Sequence, residues 1–335
     1  MNEEYTLRHS EFRDLVLLDP IKQGAECLKI VSGYATPTMA SWHIKEIAEL
    51  NPIKITLIVG MCGFDGISKS VHEGFKNIAS RRNGLEQTDF SCQYVVKGMP
   101  VHSKLYLWER GGVPFKAYMG SANYTQPAFF SSGRELIQEC DPLQASTYFD
   151  VVDRNAVYCT HAEIEDMVLI KPTHPILENE EAPLLSVRGA GVESVTLSLL
   201  TAQDDVGFGS GINWGHRKTG PPRKNTNEMY ISLPAGIKNK HPEFFPTIGN
   251  PTGKGNPNFS VLTDDGKHFI LRVQQQGNKG ITTPLSNAQI GEYFRYRINV
   301  GNGAFVTKQD LENYGRTDVT FYKLDDEQYF MDFSV

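Results

Sequence analysis

The sequence predicts two domains, an α/β domain whose sheet is covered by helices and then a mostly-β domain. Three observations predict this. The chain has 335 residues, a length suited to two domains or one large one. Strand-like and helix-like patterns alternate between residues 27 and 160. After about residue 190 helical periodicity becomes rare, and short apolar runs are separated by Gly, Asn, Pro and Asp turns.

Taken in order, CLKIVSGYA (27–35) and KITLIVGM (54–61) are short β-branched runs ended by Gly or Ala, as buried strands are. Between them SWHIKEIAEL (41–50) puts Trp42, Ile44, Ile47 and Leu50 at helical spacing behind Ser41 as N-cap. A second helix is expected over 66–80. Strands are expected again at 90–96, 101–108, 115–120 and 135–140. The stretch KPTHPILENEEAP, with three prolines and three glutamates, reads as a linker. The expected division is therefore 1–170, a linker over 171–190, and 191–335. In the second domain VTLSLL, EMYISLP, FSVLTD, HFILRVQQQ, YFRYRI, VTFYKL and QYFMDF read as strands. KQDLENYG (308–315), stopped by Gly315, is the good helix candidate there. A small barrel or sandwich fits this texture.

Composition excludes several classes. No run approaches the ~18–20 apolar residues that span a bilayer. The charged N-terminus MNEEYTLRHSEFRDL has no apolar signal segment, so a cytoplasmic protein without a membrane role is expected. Five cysteines (Cys27, Cys62, Cys92, Cys140, Cys159) without any CxxC argue for reduced core thiols rather than a disulfide framework or structural zinc. GNPTGKG (249–255) lacks the spacing and the Ser/Thr of a P-loop and reads as a turn. The histidines other than His102 show no zinc spacing, so neither cofactor nor metal is expected.

Net charge is −6, but it is unevenly placed. Residues 213–297 hold 12 basic and 5 acidic side chains, between acidic flanks. A basic segment in an acidic chain is either a local anion-binding surface or an ordinary solvated face.

The sharpest local signal is His102-Ser103-Lys104, followed by Gly120-Ser121-Ala122-Asn123. On a strand, period 2 puts His102 and Lys104 on one side, about 6–7 Å apart at Cα. An imidazole and an ammonium so placed suit phosphate chemistry: a nucleophile or proton carrier beside a point charge, with the Asn123 amide as a further donor. The basic segment contains two Asn/Gln/Arg-rich stretches, 211–234 and 272–284. Arg and Lys match phosphates and guanine edges, and Asn and Gln match adenine edges, so strand pairs or loops bearing them fit a DNA major groove.

HSK followed by GSANYT resembles the HKD signature of the phospholipase D superfamily in its bacterial nuclease-like form. Here Glu109 stands where that signature usually has Asp. Glu135 is the downstream carboxylate, with Glu139 as the fallback. The resemblance implies a mixed sheet flanked by helices and a metal-independent site using His102, Lys104, Asn123 and Glu135. It also implies a covalent phosphohistidine, and a homodimer, because one copy of the signature is half a site.

The second half resembles the pseudobarrel DNA-binding domain of the plant B-three type found in certain restriction endonucleases, which grips DNA with two arms. That resemblance implies DNA contacts from Asn213, Trp214, His216, Arg217, Lys218, Arg223, Lys224, Asn225 and Asn227 in the first arm. In the second arm it implies Arg272, Gln274, Gln276, Asn278 and Lys279. The whole chain resembles restriction endonucleases of the NgoFVII type, which implies sequence-specific cleavage of double-stranded DNA, a cognate methyltransferase in the host, and room for an ATPase subunit. A lipid phosphodiesterase and a non-catalytic dimeric DNA-binding regulator are the alternatives.

Overall fold

The computed structural model describes residues 6–80, 89–177, 182–217, 220, 223 and 225–335. The chain divides into two compact units, 1–171 and 172–335.

In the first unit seven strands form one mixed sheet: β1 Cys27–Ser32, β2 Lys54–Val59, β3 Asp89–Val95, β4 Leu105–Arg110, β5 Val113–Gly120, β6 Ile137–Cys140 and β7 Ala156–Tyr158. Their spatial order is β6-β5-β4-β1-β2-β3-β7. The three strands β1, β2 and β3 run parallel, while β4, β5, β6 and β7 pair antiparallel with their neighbours. Helices α1 (Pro37–Ile47), α2 (Lys69–Ala79) and α3 (Pro142–Asp153) flank it.

Three boundaries differ from the sequence expectation. Helix α1 starts four residues ahead of Ser41, because Thr36 caps Met39 N and Pro37 sits in the first turn; Ser41 is buried mid-helix. The expected strand 101–108 enters the ladder only at Leu105, leaving 101–104 as an irregular approach held by Val101 N–H on Gly60 O at 3.1 Å. Helix α3, absent from the sequence reading, carries its own start signal: Asp141 accepts from Gln144 N at 2.8 Å and Pro142 follows.

The second unit holds β8 Ser194–Ser198, β9 Ile231–Ser232, β10 Asn258–Thr263, β11 His268–Gln274, β12 Gly280–Thr282, β13 Asp318–Lys323 and β14 Gln328–Asp332. They form one sheet in the order β8-β13-β14-β10-β11-β12-β9. The edge strands β8 and β9 come close together, so the sheet nearly closes on itself. Inward-facing residues such as Val195, Phe259, Val261, Leu271, Val273 and Phe321 fill its interior.

Two expectations are corrected here. YFRYRI, read as a strand, lies mostly in helix α6 (Gln289–Arg297), which follows α4 (Pro183–Gly189) and α5 (Ala235–Lys240). Ile290, Tyr293 and Phe294 are its buried stripe, at 3.6-residue rather than two-residue spacing. The segment 171–190 is not a free linker either: Leu177 and Val187 are buried with Tyr322 and Phe330 of the second unit. The helix expected at 308–315 is present as α7 (Lys308–Tyr314), with a Thr307/Asp310 capping box and Gly315 at φ 101° closing it. All five cysteines are free. Among the described residues no helix is long and apolar enough to cross a membrane.

Candidate active site and nucleic-acid interface

The topology brings three chain segments to one end of the first sheet. Because β1 and β4 are antiparallel (Val31 opposite Leu105) and β4 and β5 are antiparallel (Leu105 opposite Met119), residues 32–34, 101–104 and 120–123 converge. His102 is exposed there, while Lys104 is only 7% exposed. The Lys104 Nζ lies 3.1 Å from His102 Nδ1, 3.3 Å from its Nε2 and 2.5 Å from its carbonyl oxygen. An ammonium has only protons to give, so the ring nitrogen it bonds must offer a lone pair. Burial pulls Lys104 below the usual lysine range, and Glu135 opposes that shift.

Asn123 is oriented by its oxygen. Its Oδ1 accepts from Tyr34 N at 3.1 Å and from Ser32 Oγ at 3.3 Å, which leaves the Nδ2 group as the donor for a ligand. Ser32 also accepts from Tyr124 N at 2.9 Å, tying the end of β1 to the GSAN loop. Ser121 Oγ donates to Glu135 and accepts from Leu136 N at 3.0 Å. Gly120 is required by close approach, since a Cβ there would sit 2.0 Å from Leu136 O. Gly33 is required for the same reason: its Cβ would sit 2.9 Å from His102 Cδ2. The Tyr34 ring meets the His102 ring edge-on at 5.9 Å, and the Tyr34 hydroxyl bonds Asp65. A cavity of about 500 Å³ opens beside Lys104, lined in part by Ser103, Gly120 and Tyr148.

The structure thus brings His102, Lys104, Asn123 and Glu135 together at one end of the sheet. The fallback carboxylate Glu139 lies instead on β6, paired with Lys116 at 3.6 Å. Glu109 lies at the opposite end of β4 from Leu105, buried and paired with Lys29 at 2.6 Å. Sequence reasoning missed Ser32, Gly33 and Tyr34, which reach the site only because their strand pairs with the one that begins at Leu105. Two other histidines are built into the fold. His43 bonds Tyr124 OH and Leu17 O, each at 2.8 Å, and burial pushes it down to about 4. His72 lies near Glu73 and Glu165, a donor group of metal-binding size, but the Lys76 ammonium already bridges both carboxylates, at 3.3 and 2.9 Å.

In the second unit the expected DNA-contacting residues separate into two sets. Arg217, Gln276 and Lys279 are exposed; Trp214, His216, Arg223, Asn225 and Gln274 are half-buried. Lys218 and Lys224 lie outside the described residues. Four others are corrected from contacts to framework. Asn213 is fully buried, donating to Val306 O at 2.7 Å and accepting from Val306 N at 2.9 Å. Asn227 is buried and accepts from Gly303 N at 2.7 Å. Arg272 is 2% exposed inside β11. Asn278 holds a turn at φ 51° and bonds Asn250 O and Asn256 Nδ2 at 3.0 and 2.9 Å. The first two are consumed by the 302–306 loop and the last by the 250–256 turn. Arg223 stacks on Trp214 at 3.7 Å and pairs with Glu228 at 3.0 Å, stiffening the first arm from within.

Two family models match the chain. Residues 10–166 match the NgoFVII restriction endonuclease N-terminal PLD domain. Residues 187–325 match the NgoFVII C-terminal B3-like DNA-binding domain. Among solved structures the chain is similar to NucT from Helicobacter pylori, at 17% identity and a TM-score of 0.32, over 46% of this chain and 98% of that one. It is also similar to a phospholipase D family member, Nuc from Salmonella typhimurium, at 12% identity and a TM-score of 0.33, over 46% of this chain and 97% of that one. No curated protein matches the chain significantly.

Proposed function

The chain belongs to the NgoFVII restriction endonuclease family, and from that premise we propose that it cleaves double-stranded DNA at a chosen sequence, without a metal ion, through a covalent intermediate on His102. Both expected domain classes are borne out by the family matches: a phospholipase D-like α/β nuclease domain, and a B3-like pseudobarrel that binds DNA. The finer reading rests on one observation, the Lys104 ammonium held 3.1 Å from an exposed imidazole.

In this reading His102 attacks phosphorus through an unprotonated ring nitrogen, forming a P–N bond as the bond to the leaving DNA oxygen breaks. Lys104 and the Nδ2 group of Asn123 bear on the non-bridging oxygens, where charge builds in the transition state. A second copy of the chain supplies its own His102, which protonates the leaving oxygen and then takes a proton from the water that hydrolyses the P–N bond. Glu135 acts on this cluster through Ser121 and through the field it exerts on Lys104. The donor set of imidazole, ammonium and amide carries the positive charge that a phosphate needs, which supports a reaction without a divalent ion. The exposed Arg217, Gln276 and Lys279 supply phosphate and base contacts. A host would need a cognate methyltransferase to protect its own copies of the site.

The test is incubation of unmethylated plasmid and phage DNA with the homodimer in excess EDTA, with His102→Ala alongside. Discrete fragments from the wild type alone, and an acid-labile phosphoryl adduct on the His102 peptide, are the expected result. Cleavage that EDTA abolishes, or that His102→Ala retains, would overturn it.

A further inference from the structure

We infer that Arg295 is a positioning residue for the first DNA-reading arm, tying its two ends together so that Arg217 projects from a root already shaped before DNA binds. The inference rests on the reading of residues 211–228 as such an arm. Arg295 lies in α6 and is 1% exposed, so it cannot touch DNA itself. Its guanidinium donates to five backbone carbonyls. Nε bonds Ala304 O at 2.8 Å, Nη1 bonds Gly291 O at 3.2 Å and Asn227 O at 3.5 Å, and Nη2 bonds Ile212 O at 3.3 Å and Thr226 O at 3.4 Å.

Ile212 stands at one end of the arm; Thr226 and Asn227 stand at the other. One planar fork therefore holds both ends, a task that five donors in fixed geometry can do and a single ammonium cannot. Burial pushes Arg295 down to about 10, so it is still a cation at neutral pH inside this cradle of carbonyl dipoles.

The surroundings are built for the same purpose. Gly291, one turn earlier on α6, admits the arm: a Cβ there would lie 1.8 Å from Asn227 O. Gly215 admits the opposite strand of the loop, since its Cβ would lie 2.4 Å from Thr226 O, and its N–H bonds Glu228 O at 2.7 Å. Asn213 and Asn227 then fasten the two ends to Val306 and Gly303. Beyond this root the chain carries Arg217 into solvent. A root ordered before binding avoids the entropy loss of being ordered on the DNA.

The experiment selects bound sequences from a randomised 30-base-pair duplex library, using the full-length wild type and Arg295→Lys, with amide hydrogen exchange on both. Wild type should enrich one motif, and its Gly215 and Glu228 region should exchange slowly. In Arg295→Lys exchange should quicken over 212–217, 225–228 and 303–306 alone. Part of the motif should flatten, with roughly tenfold weaker binding to the wild-type motif and unchanged retention of the bulk library at low salt. Equal loss for every sequence, together with general loss of exchange protection, would make Arg295 an ordinary core residue and overturn the inference. An unchanged motif in Arg295→Lys would overturn it while leaving the DNA-reading function intact. Absence of any wild-type motif would overturn both. Should Arg295→Lys fail to fold, fast exchange at Gly215 in the wild type is by itself enough to refute a locked root, and slow exchange there supports it.

Discussion

The polar side chains around His102 and those of the proposed first arm, 211–228, do different work. At the end of the first sheet, His102 stands in solvent and its neighbours bond one another only enough to aim it: Asn123 gives up its oxygen and keeps its amide donor. In the arm, Asn213 is committed to the Val306 backbone, Asn227 to Gly303 N–H and the Asn302 and Glu292 side chains, and Arg223 to Trp214 and Glu228. The first region exposes chemistry on a rigid sheet. The second must make its own rigidity, because a loop has no ladder to hold it, and most of its described polar residues go into that. A polar segment that resembles an interface can thus be mainly the scaffold of one.

That contrast can be broken by substitution. The largest effect expected is from His102→Ala, which should lower cleavage by about 10³-fold or more. DNA affinity in a gel shift should stay the same. A parallel loss of affinity would mean that the first unit contributes binding, and the division of labour would fall. Gly33→Ala comes next. Its Cβ would press on the imidazole, and a displacement of this kind should cost about 10²-fold in cleavage with little change in melting temperature. Full activity in Gly33→Ala would show that His102 is free to move.

A paired test in the second unit is smaller. Asn213→Ala leaves Val306 N–H and C=O without partners and should destabilise the domain by about 1–3 kcal/mol in thermal unfolding. Arg217→Ala, exposed at the arm, should leave stability unchanged and weaken binding by about 1–3 kcal/mol if it reads a base. The reverse pattern would exchange the roles of framework and contact.

The smallest effect is a shift in pH dependence. Burial lowers the Lys104 pKa, so its ammonium is lost at a lower pH than in a free lysine, and cleavage should fall on the alkaline side correspondingly early. Glu135 holds that pKa up, so Glu135→Gln should move the alkaline limb of the residual activity lower still. A limb that stays in place, or moves upward, would detach Glu135 from Lys104.

Much of the candidate site was legible because its parts are short and local. HSK and GSAN each sit at the end of a strand whose apolar run is plain, and the antiparallel pairing of β4 with β5 brings them together through a tight connection. Tyr34 and Gly33 were not legible as site residues because nothing in their own neighbourhood refers to position 102. Their contacts exist only because β1 lies beside β4. The arm residues were read from composition, and composition does not say which way an amide points. The helix over Gln289–Arg297 was misread for a related reason: within YFRYRI the last five residues alternate like a strand, while its buried stripe shows only when Ile290 is included.

By itself, then, the sequence determined the classes of the two domains and picked out the segments that gather around His102, since periodicity and short spacing are local properties of a chain. Only the tertiary structure decided which polar residues are tools and which are struts. Asn213 meets Val306, 93 positions along, and Ser32 meets Asn123, 91 positions along. Whether a donor is free for a ligand depends on such distant partners, which burial selects and sequence spacing does not encode.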